Sequence, residues 1–275
     1  HYEVPPGFFK YALGKNLKYS CSFFNNTDSL DEAEKSMIEL YIQRADIQEG
    51  QAILDLGCGW GSFSLYVAEK YPSVSITAVS NSKDQITFIQ NEAKRRGLFN
   101  VKASKMDVNN LDLDKKFDRI VSIEMFEHLR NYKLILKTLN NLLKPDGRLF
   151  VHIFCHKELT YFYEIKNSYD WMTKYFFEGG IMPSQDIFKY FDDELEVINQ
   201  WDVNGNHYAQ TCKAWLDNHY KNKDKILDVF DKHYDKPKIW FNRWRIFFLS
   251  CEAFFAINNG REYFVSHYLF KKPNK

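Results

Sequence analysis

Apolar residues run through the middle of this chain in two alternating textures. Short apolar runs bounded by glycine, proline or acid give way to longer stretches in which apolar positions return every three to four residues. The runs at 51–56, 74–79, 101–105, 117–123 and 148–154 predict strands, and the stretches at 61–70, 82–96 and 132–143 predict helices. The last of these helices is stopped by Lys144-Pro145-Asp146-Gly147, a turn signal with proline and glycine in place. Strand and helix in alternation imply a parallel, doubly wound α/β sheet that holds its ligands at the carboxyl ends of the strands.

Beyond His156 the texture changes. Residues 158–180 are ring-rich and irregular, 195–203 predicts a sixth strand, and 208–220, 223–233 and 240–257 predict three helices. Alternation of Tyr263, Val265 and His267 against Phe264, Ser266 and Tyr268 predicts a last strand over 261–270 that closes the sheet. The expected organisation is a helical cap segment at 1–48, a main domain at 49–275, and a helical insertion at about 206–258 that covers the active-site edge before the last strand. The stretch 240–257 carries Trp240, Phe241, Trp244, Phe247, Phe248, Phe254 and Phe255. It is too apolar for a free surface helix, and either packs on the domain or lines a hydrophobic ligand site.

The most informative ten residues are Ala52-Ile53-Leu54-Asp55-Leu56-Gly57-Cys58-Gly59-Trp60-Gly61. A strand ends in an acid, and three alternate glycines then lead into a helix. Glycine admits positive φ and lets backbone approach a ligand that a Cβ would block. The dinucleotide-binding fingerprint is G-x-G-x-x-G, and this spacing differs. The full string D-L-G-C-G-W-G resembles the first motif of class I methyltransferases, which bind S-adenosylmethionine.

Composition narrows the partners. Lys and Arg number 37 against 36 Asp and Glu, so no whole-protein field argues for nucleic acid. Short basic clusters at 221–225 and 271–275 read as solvated surface. No apolar run reaches the roughly 18 residues of a membrane span, and no signal peptide is visible. Five scattered cysteines without a C-x-x-C pair favour free thiols in a reducing, cytoplasmic setting. Aromatic residues make up 17% of the chain, which fits a ring-rich core or a ring-lined pocket.

Just past the fourth strand lies Ser122-Ile123-Glu124-Met125-Phe126-Glu127-His128. A doubly wound sheet places these two carboxylates and imidazole beside a bound cofactor. Methyl transfer is an in-line displacement that needs a nucleophile with a lone pair. An ammonium has none, so a nearby carboxylate or imidazole to take its proton is chemically apt. The plain alternative is that Glu124 caps the following helix and His128 packs on it. His152, Cys155 and His156 have metal-ligand chemistry, but on a strand His152 and Cys155 face opposite sides, and no metal is expected. Cys58 has no basic neighbour in sequence and reads as a packed residue.

Several strings then converge on one family. Lys18-Tyr19-Ser20-Cys21, the glycine motif, Ser80-Asn81-Ser82-Lys83-Asp84-Gln85, Ser122–His128, Phe150–Lys157, Asp170-Trp171-Met172-Thr173, Asn206–Thr211 and Trp244-Arg245 span nearly the whole chain. It resembles the cyclopropane fatty acid synthase superfamily, in its branch of coclaurine and pavine N-methyltransferases. The resemblance implies a Rossmann-like seven-stranded methyltransferase fold and S-adenosylmethionine, held by Tyr19, Ser20, Asp55, Gly57, Gly59, Asn81, Gln85, Asp107, Val108 and Ile123. It implies that Glu124, Glu127 and His128 place and deprotonate a small hydrophobic amine. In the lipid branch Cys21, Ile123, Glu127, His152 and Tyr208 resemble a set that holds bicarbonate, while position 124 is usually glycine there. A lipid methyltransferase or cyclopropane synthase using bicarbonate is therefore the alternative reading. A non-catalytic S-adenosylmethionine-binding protein is a third, and a homodimer is an open partner.

Overall fold

The computed structural model of the chain describes residues 4–167 and 170–273. The first residues of the expected cap segment and the end of the basic tail at 271–275 lie outside the described residues. Two helices come first, α1 (Pro6–Ala12) and α2 (Leu30–Arg44); Ser29 caps α2 by accepting from the Glu32 N–H. Then β1 (Ala52–Leu56), α3 (Ser62–Lys70), β2 (Ser75–Ser80), α4 (Lys83–Arg96), β3 (Val101–Lys105), β4 (Phe117–Ile123), α5 (Tyr132–Leu142) and β5 (Leu143–His156) alternate. The second half holds β6 (Tyr161–Phe162), β7 (Ile181–Met182), β8 (Glu196–Val203), α6 (Gly205–Lys221), α7 (Lys223–Asp231), α8 (Pro237–Phe255) and β9 (Tyr263–Lys271).

Seven strands form one sheet in the order β3-β2-β1-β4-β5-β9-β8. Strands β1 to β5 pair in parallel, and β9 runs antiparallel between β5 and β8. The order reverses between β1 and β4, which opens a crevice at their carboxyl ends. Strands buried on both faces explain the apolar runs, since Ile53, Leu54, Ile120, Val121, Phe150 and Val151 are all buried.

Three stretches depart from the sequence reading. The turn expected at 144–147 lies inside β5, which starts at Leu143. Pairing with β4 jumps from Phe117–Leu143 to Arg119–Arg148, so the four residues between loop out as a bulge. Gly147 sits where a Cβ would come within 2.8 Å of the Phe117 carbonyl. The irregular stretch 158–180 contains β6, which pairs with β7 as a separate two-stranded sheet, and a π turn at Thr173–Phe177. The acid-rich segment after β4 is a short 3-10 turn, Phe126–His128, with Glu124 outside it.

Helices α6, α7 and α8 lie between β8 and β9 in sequence and pack with α1 into a ring-rich layer. Phe8 meets Trp244 at 4.4 Å between centroids, and Phe176 stacks on Phe247 at 4.1 Å. In α8 the side chains of Phe241, Trp244, Phe247, Phe248, Cys251 and Phe255 are buried, so this helix packs on the fold. Among the described residues no helix is long and apolar enough to cross a membrane.

Candidate active site

The turn from β1 to α3 is built for close backbone approach. Gly57, Gly59 and Gly61 all have positive φ, and the N–H groups of Gly57 and Cys58 both donate to the Val79 carbonyl at 3.0 Å, fastening the turn to β2. A Cβ on Gly57 would come within 2.7 Å of Met125, whereas one on Gly59 would meet nothing within 4 Å. Open space beside a left-handed glycine at the carboxyl end of a central strand suits a bound nucleotide-like cofactor. Around that space the strand ends deliver Gln85 and exposed Asn81 after β2, Asp107 and Val108 after β3, and Ile123 from β4. Gln85 accepts from Ser80 Oγ at 2.7 Å, and Asp107 caps a 3-10 turn by accepting from the Asn109 N–H at 2.9 Å. Tyr19 stays partly accessible, and Ser20 is buried against Lys18 Nζ at 2.6 Å.

Asp55 has a structural partner that the sequence does not show. It is 2% exposed and turned into the fold, where its Oδ2 accepts from Ser64 Oγ at 2.6 Å. Burial raises its carboxyl from 3.8 to about 7, with the Ser64 hydrogen bonds opposing. Asp55 therefore ties the glycine turn to the first turn of α3. The Cys58 thiol is pushed well up by burial and then by Asp55, which suits a packed residue.

The acid cluster after β4 is more closely knit than its spacing implies. Glu124 has φ +47 and a backbone N–H that donates to the His152 carbonyl at 2.9 Å. Its Oε1 accepts from the Cys21 N–H at 2.9 Å and lies 3.0 Å from His152 Nε2. Its Oε2 accepts from the Tyr208 hydroxyl at 2.6 Å. Three of the five residues that the resemblance links to bicarbonate, Cys21, His152 and Tyr208, thus converge on a carboxylate of the chain itself. Beneath them Lys18 is buried, donating to Ser20 Oγ and to the Cys21 carbonyl, with its ammonium 5.2 Å from the Tyr41 ring centroid. Burial raises the proton affinity of Glu124, while Lys18, Tyr208 and the Cys21 N–H pull it back.

Glu127 is 1% exposed; its Oε1 accepts from the Phe154 N–H at 2.8 Å, and its Oε2 has no hydrogen-bond partner among the described residues. Burial, then the charge of Glu124, pushes its carboxyl well above the usual range. His128 is exposed at the end of the 3-10 turn. Burial lowers its pKa, with Glu124 opposing, which favours the neutral ring. The stacked pair Tyr163 and Phe177, 4.9 Å apart, lies beside Glu127 and remains partly accessible. The arrangement offers a buried, oriented base, a second carboxyl group with a free oxygen, and flanking rings for an apolar cation.

Lys18 and Tyr41 were not assigned roles from sequence. Lys18 stood only as one letter of a matching string, and Tyr41 sits at a helical core position beside Met37, Ile38 and Ile42. A lysine that ends fully buried is the one signal the sequence hides best, because burial is a tertiary property. Among the described residues no three His, Cys, Asp or Glu side chains are grouped to hold a metal ion.

Comparison with known proteins agrees with this geometry. The family model described as mycolic acid cyclopropane synthetase matches residues 1–262. The chain is similar to (S)-coclaurine N-methyltransferase of Thalictrum flavum subsp. glaucum, 42% identical over 98% of this chain and 77% of that protein. It is similar to pavine N-methyltransferase of the same plant, 38% identical over 98% of this chain and 78% of that protein. A crystal structure of coclaurine N-methyltransferase bound to N-methylheliamine and S-adenosylhomocysteine superposes with a TM-score of 0.94 at 42% identity, covering 98% of this chain and 80% of that one. The chain belongs to the mycolic acid cyclopropane synthetase family, alongside these plant N-methyltransferases.

Proposed function

We propose that this protein transfers a methyl group from S-adenosylmethionine to the nitrogen of a small hydrophobic amine of the benzylisoquinoline kind, with Glu124 as the base. The observation that carries the reading is the pairing of a carboxylate held by three donors with the unpartnered Oε2 of Glu127 beside it. Tyr19, Ser20, Gly57, Gly59, Asn81, Gln85, Asp107, Val108 and Ile123 hold the cofactor along the crevice. Bound S-adenosylmethionine supplies an electrophilic methyl on a sulfonium that leaves as a neutral thioether.

Near neutral pH the amine arrives as an ammonium. Glu124 accepts one N–H proton, and the electron pair of that bond stays on nitrogen as the lone pair that attacks the methyl carbon. Glu127 Oε2 and His128 accept or steer the remaining N–H, so nitrogen points at the methyl. The charges balance: the ammonium gives one proton to Glu124, and the methylated product leaves as an ammonium. Tyr163 and Phe177 present ring faces to both cations. Helices α6–α8, together with residues 4–48, would cover the site. The lipid reading requires a free anion among Cys21, His152 and Tyr208, and what speaks against it is that Glu124 already uses those donors.

The test is turnover of a secondary benzylisoquinoline amine in bicarbonate-free buffer, scored as N-methylated product and S-adenosylhomocysteine. Turnover indifferent to bicarbonate is expected. Glu124→Gln should lower kcat by roughly a hundredfold or more, the usual worth of a positioned base, while cofactor affinity holds. Undiminished turnover in Glu124→Gln would remove the base role. Methyl transfer to unsaturated phospholipid vesicles alone, dependent on bicarbonate, would overturn the amine reading.

A further inference from the structure

Behind His152 the donors continue in a line that the mechanism above does not use. His152 on β5 pairs across the sheet with His267 on β9, and His152 Nδ1 lies 3.0 Å from His267 Nε2. His267 Nδ1 lies 2.6 Å from Arg44 Nη1, at the last residue of α2. The guanidinium rests on Trp201 of β8, 5.2 Å from the ring centroid, and is partly open to solvent. Three hydrogen bonds in series therefore join the partly exposed Arg44 to Glu124 Oε1.

The direction of every bond in this series follows from one fact: a guanidinium donates and cannot accept. Both imidazoles are fully buried between the cations Lys18 and Arg44, and burial holds both well below the usual histidine range, so both are neutral. Burial lowers Arg44 only to about 10, which leaves it protonated near neutral pH. A neutral imidazole has one donor and one acceptor nitrogen. His267 Nδ1 must accept from Arg44, so His267 carries its proton on Nε2. His152 Nδ1 then accepts, so His152 carries its proton on Nε2 and donates to Glu124. Tyr41 Oη lies 2.9 Å from the same Nδ1 and shares its single lone pair with the His267 N–H; because a hydroxyl can donate or accept, the assignment rests on Arg44. With the series reversed, a ring lone pair would face the carboxylate.

We infer that Arg44 and His267 are positioning residues for methyl transfer, fixing the tautomer of His152 and so the N–H aimed at Glu124. The inference rests on Glu124 as base, and its first readout is independent of turnover. In protein labelled with 15N-histidine, His152 and His267 are expected to show pyrrole-type Nε2 and pyridine-type Nδ1 signals without any substrate. Arg44→Met should mix the tautomers of both rings. It should lower kcat about tenfold, the equivalent of about 1.4 kcal/mol, and leave the cofactor KM within about twofold. Arg44→Lys, which also only donates, should restore the signals and most of kcat, which a role in packing alone would not produce. A His152 protonated on Nδ1 in the unaltered protein overturns the inference. So does an Arg44→Met protein with unchanged signals, or with mixed tautomers and unchanged kcat. Failure of the base assignment is read separately, from Glu124→Gln.

Discussion

Tyr208→Phe removes one donor from the carboxylate and almost nothing else. Tyr208 is 8% exposed, and its ring stacks on Phe255 at 4.2 Å and 17°, a contact that phenylalanine keeps. The hydroxyl lost is the one that donates to Glu124 Oε2, at 2.6 Å. A hydrogen bond to a charged group contributes about 1.5–3 kcal/mol, and one pKa unit corresponds to about 1.4 kcal/mol. Since the hydroxyl favours the ionised carboxylate, its loss should raise the pKa of Glu124 in the ternary complex by about one to two units. The assay is kcat against pH at saturating cofactor and amine, with product counted by mass spectrometry. The acid limb of that profile should move up by about one to two units. Its plateau should fall little, because Oε1 keeps the Cys21 N–H and His152. An acid limb that stays in place would refute the claim that Tyr208 tunes Glu124. A plateau collapse with the limb unmoved would instead put Tyr208 in contact with the substrate.

Two further substitutions separate cofactor binding from stability. Gly59→Ala places a methyl in space where nothing lies within 4 Å and holds alanine at φ +51, a strain of about 1–2 kcal/mol. Calorimetric titration should show S-adenosylmethionine affinity reduced about tenfold or more, while the melting temperature falls by only about 2–4 °C. Unchanged affinity would move the cofactor away from this loop. Asp55→Asn tests the buried carboxyl. Its folded pKa, about 7, stands above the ordinary value of 3.8, so its contribution to stability is full below about pH 4 and lost as pH rises towards 7. Three pKa units amount to on the order of 4 kcal/mol, and the asparagine protein should lack that part of the pH dependence in denaturant titrations at pH 4.5 and 8. Buried Glu34, also raised to about 7, keeps its own share in both proteins. Parallel pH trends for the two would place Asp55 in a solvated setting.

The parts of this fold that were legible in sequence are those in which local pattern and tertiary role coincide. Residues 117–123 read as a strand because a strand of a doubly wound sheet is buried and flanked by polar ends, and β4 occupies those residues. The glycine turn was readable because positive φ at three alternate positions leaves few other residues that fit. The stretch 158–180 was not readable, since β6, β7 and the π turn are held by ring contacts such as Phe176 on Phe247 and lack a period of their own. At the site, Glu124, Glu127 and His128 could be named but not arranged. Helical spacing would have stacked Glu124 on His128, whereas a left-handed residue at 124 turns that carboxylate towards Cys21, His152 and Tyr208. Tyr41 and His267 were invisible because their partners His152 and Arg44 lie far away in sequence, and Lys18 because its complete burial is a tertiary property, although the Ser20 and Cys21 it bonds adjoin it. The Ser64 partner of Asp55 was hidden for a related reason: adjacency to the glycine turn does not say which helix residue a side chain at a strand end will meet.

The backbone at Glu124 joins these observations. A side chain in the left-handed region costs roughly 1–2 kcal/mol that glycine does not. The family resemblance implies that glycine is usual at this position in the lipid branch; a glycine in the same turn would carry no such strain and would leave the donors at Cys21, His152 and Tyr208 for a free anion. In this chain the strain is offset by hydrogen bonds to both oxygens of the carboxylate and by the buried ammonium of Lys18 nearby. A base that diffuses in suits an alkene, which carries no charge and gives up its proton only after it has been alkylated. An ammonium must lose its proton before it can attack. It also carries its own charge into a buried site, which favours an anion already in place. Under the proposed mechanism, the exchange at 124 converts a borrowed base into a resident one while keeping its donors, and leaves Glu127 Oε2, unpartnered among the described residues, to meet the substrate's remaining N–H.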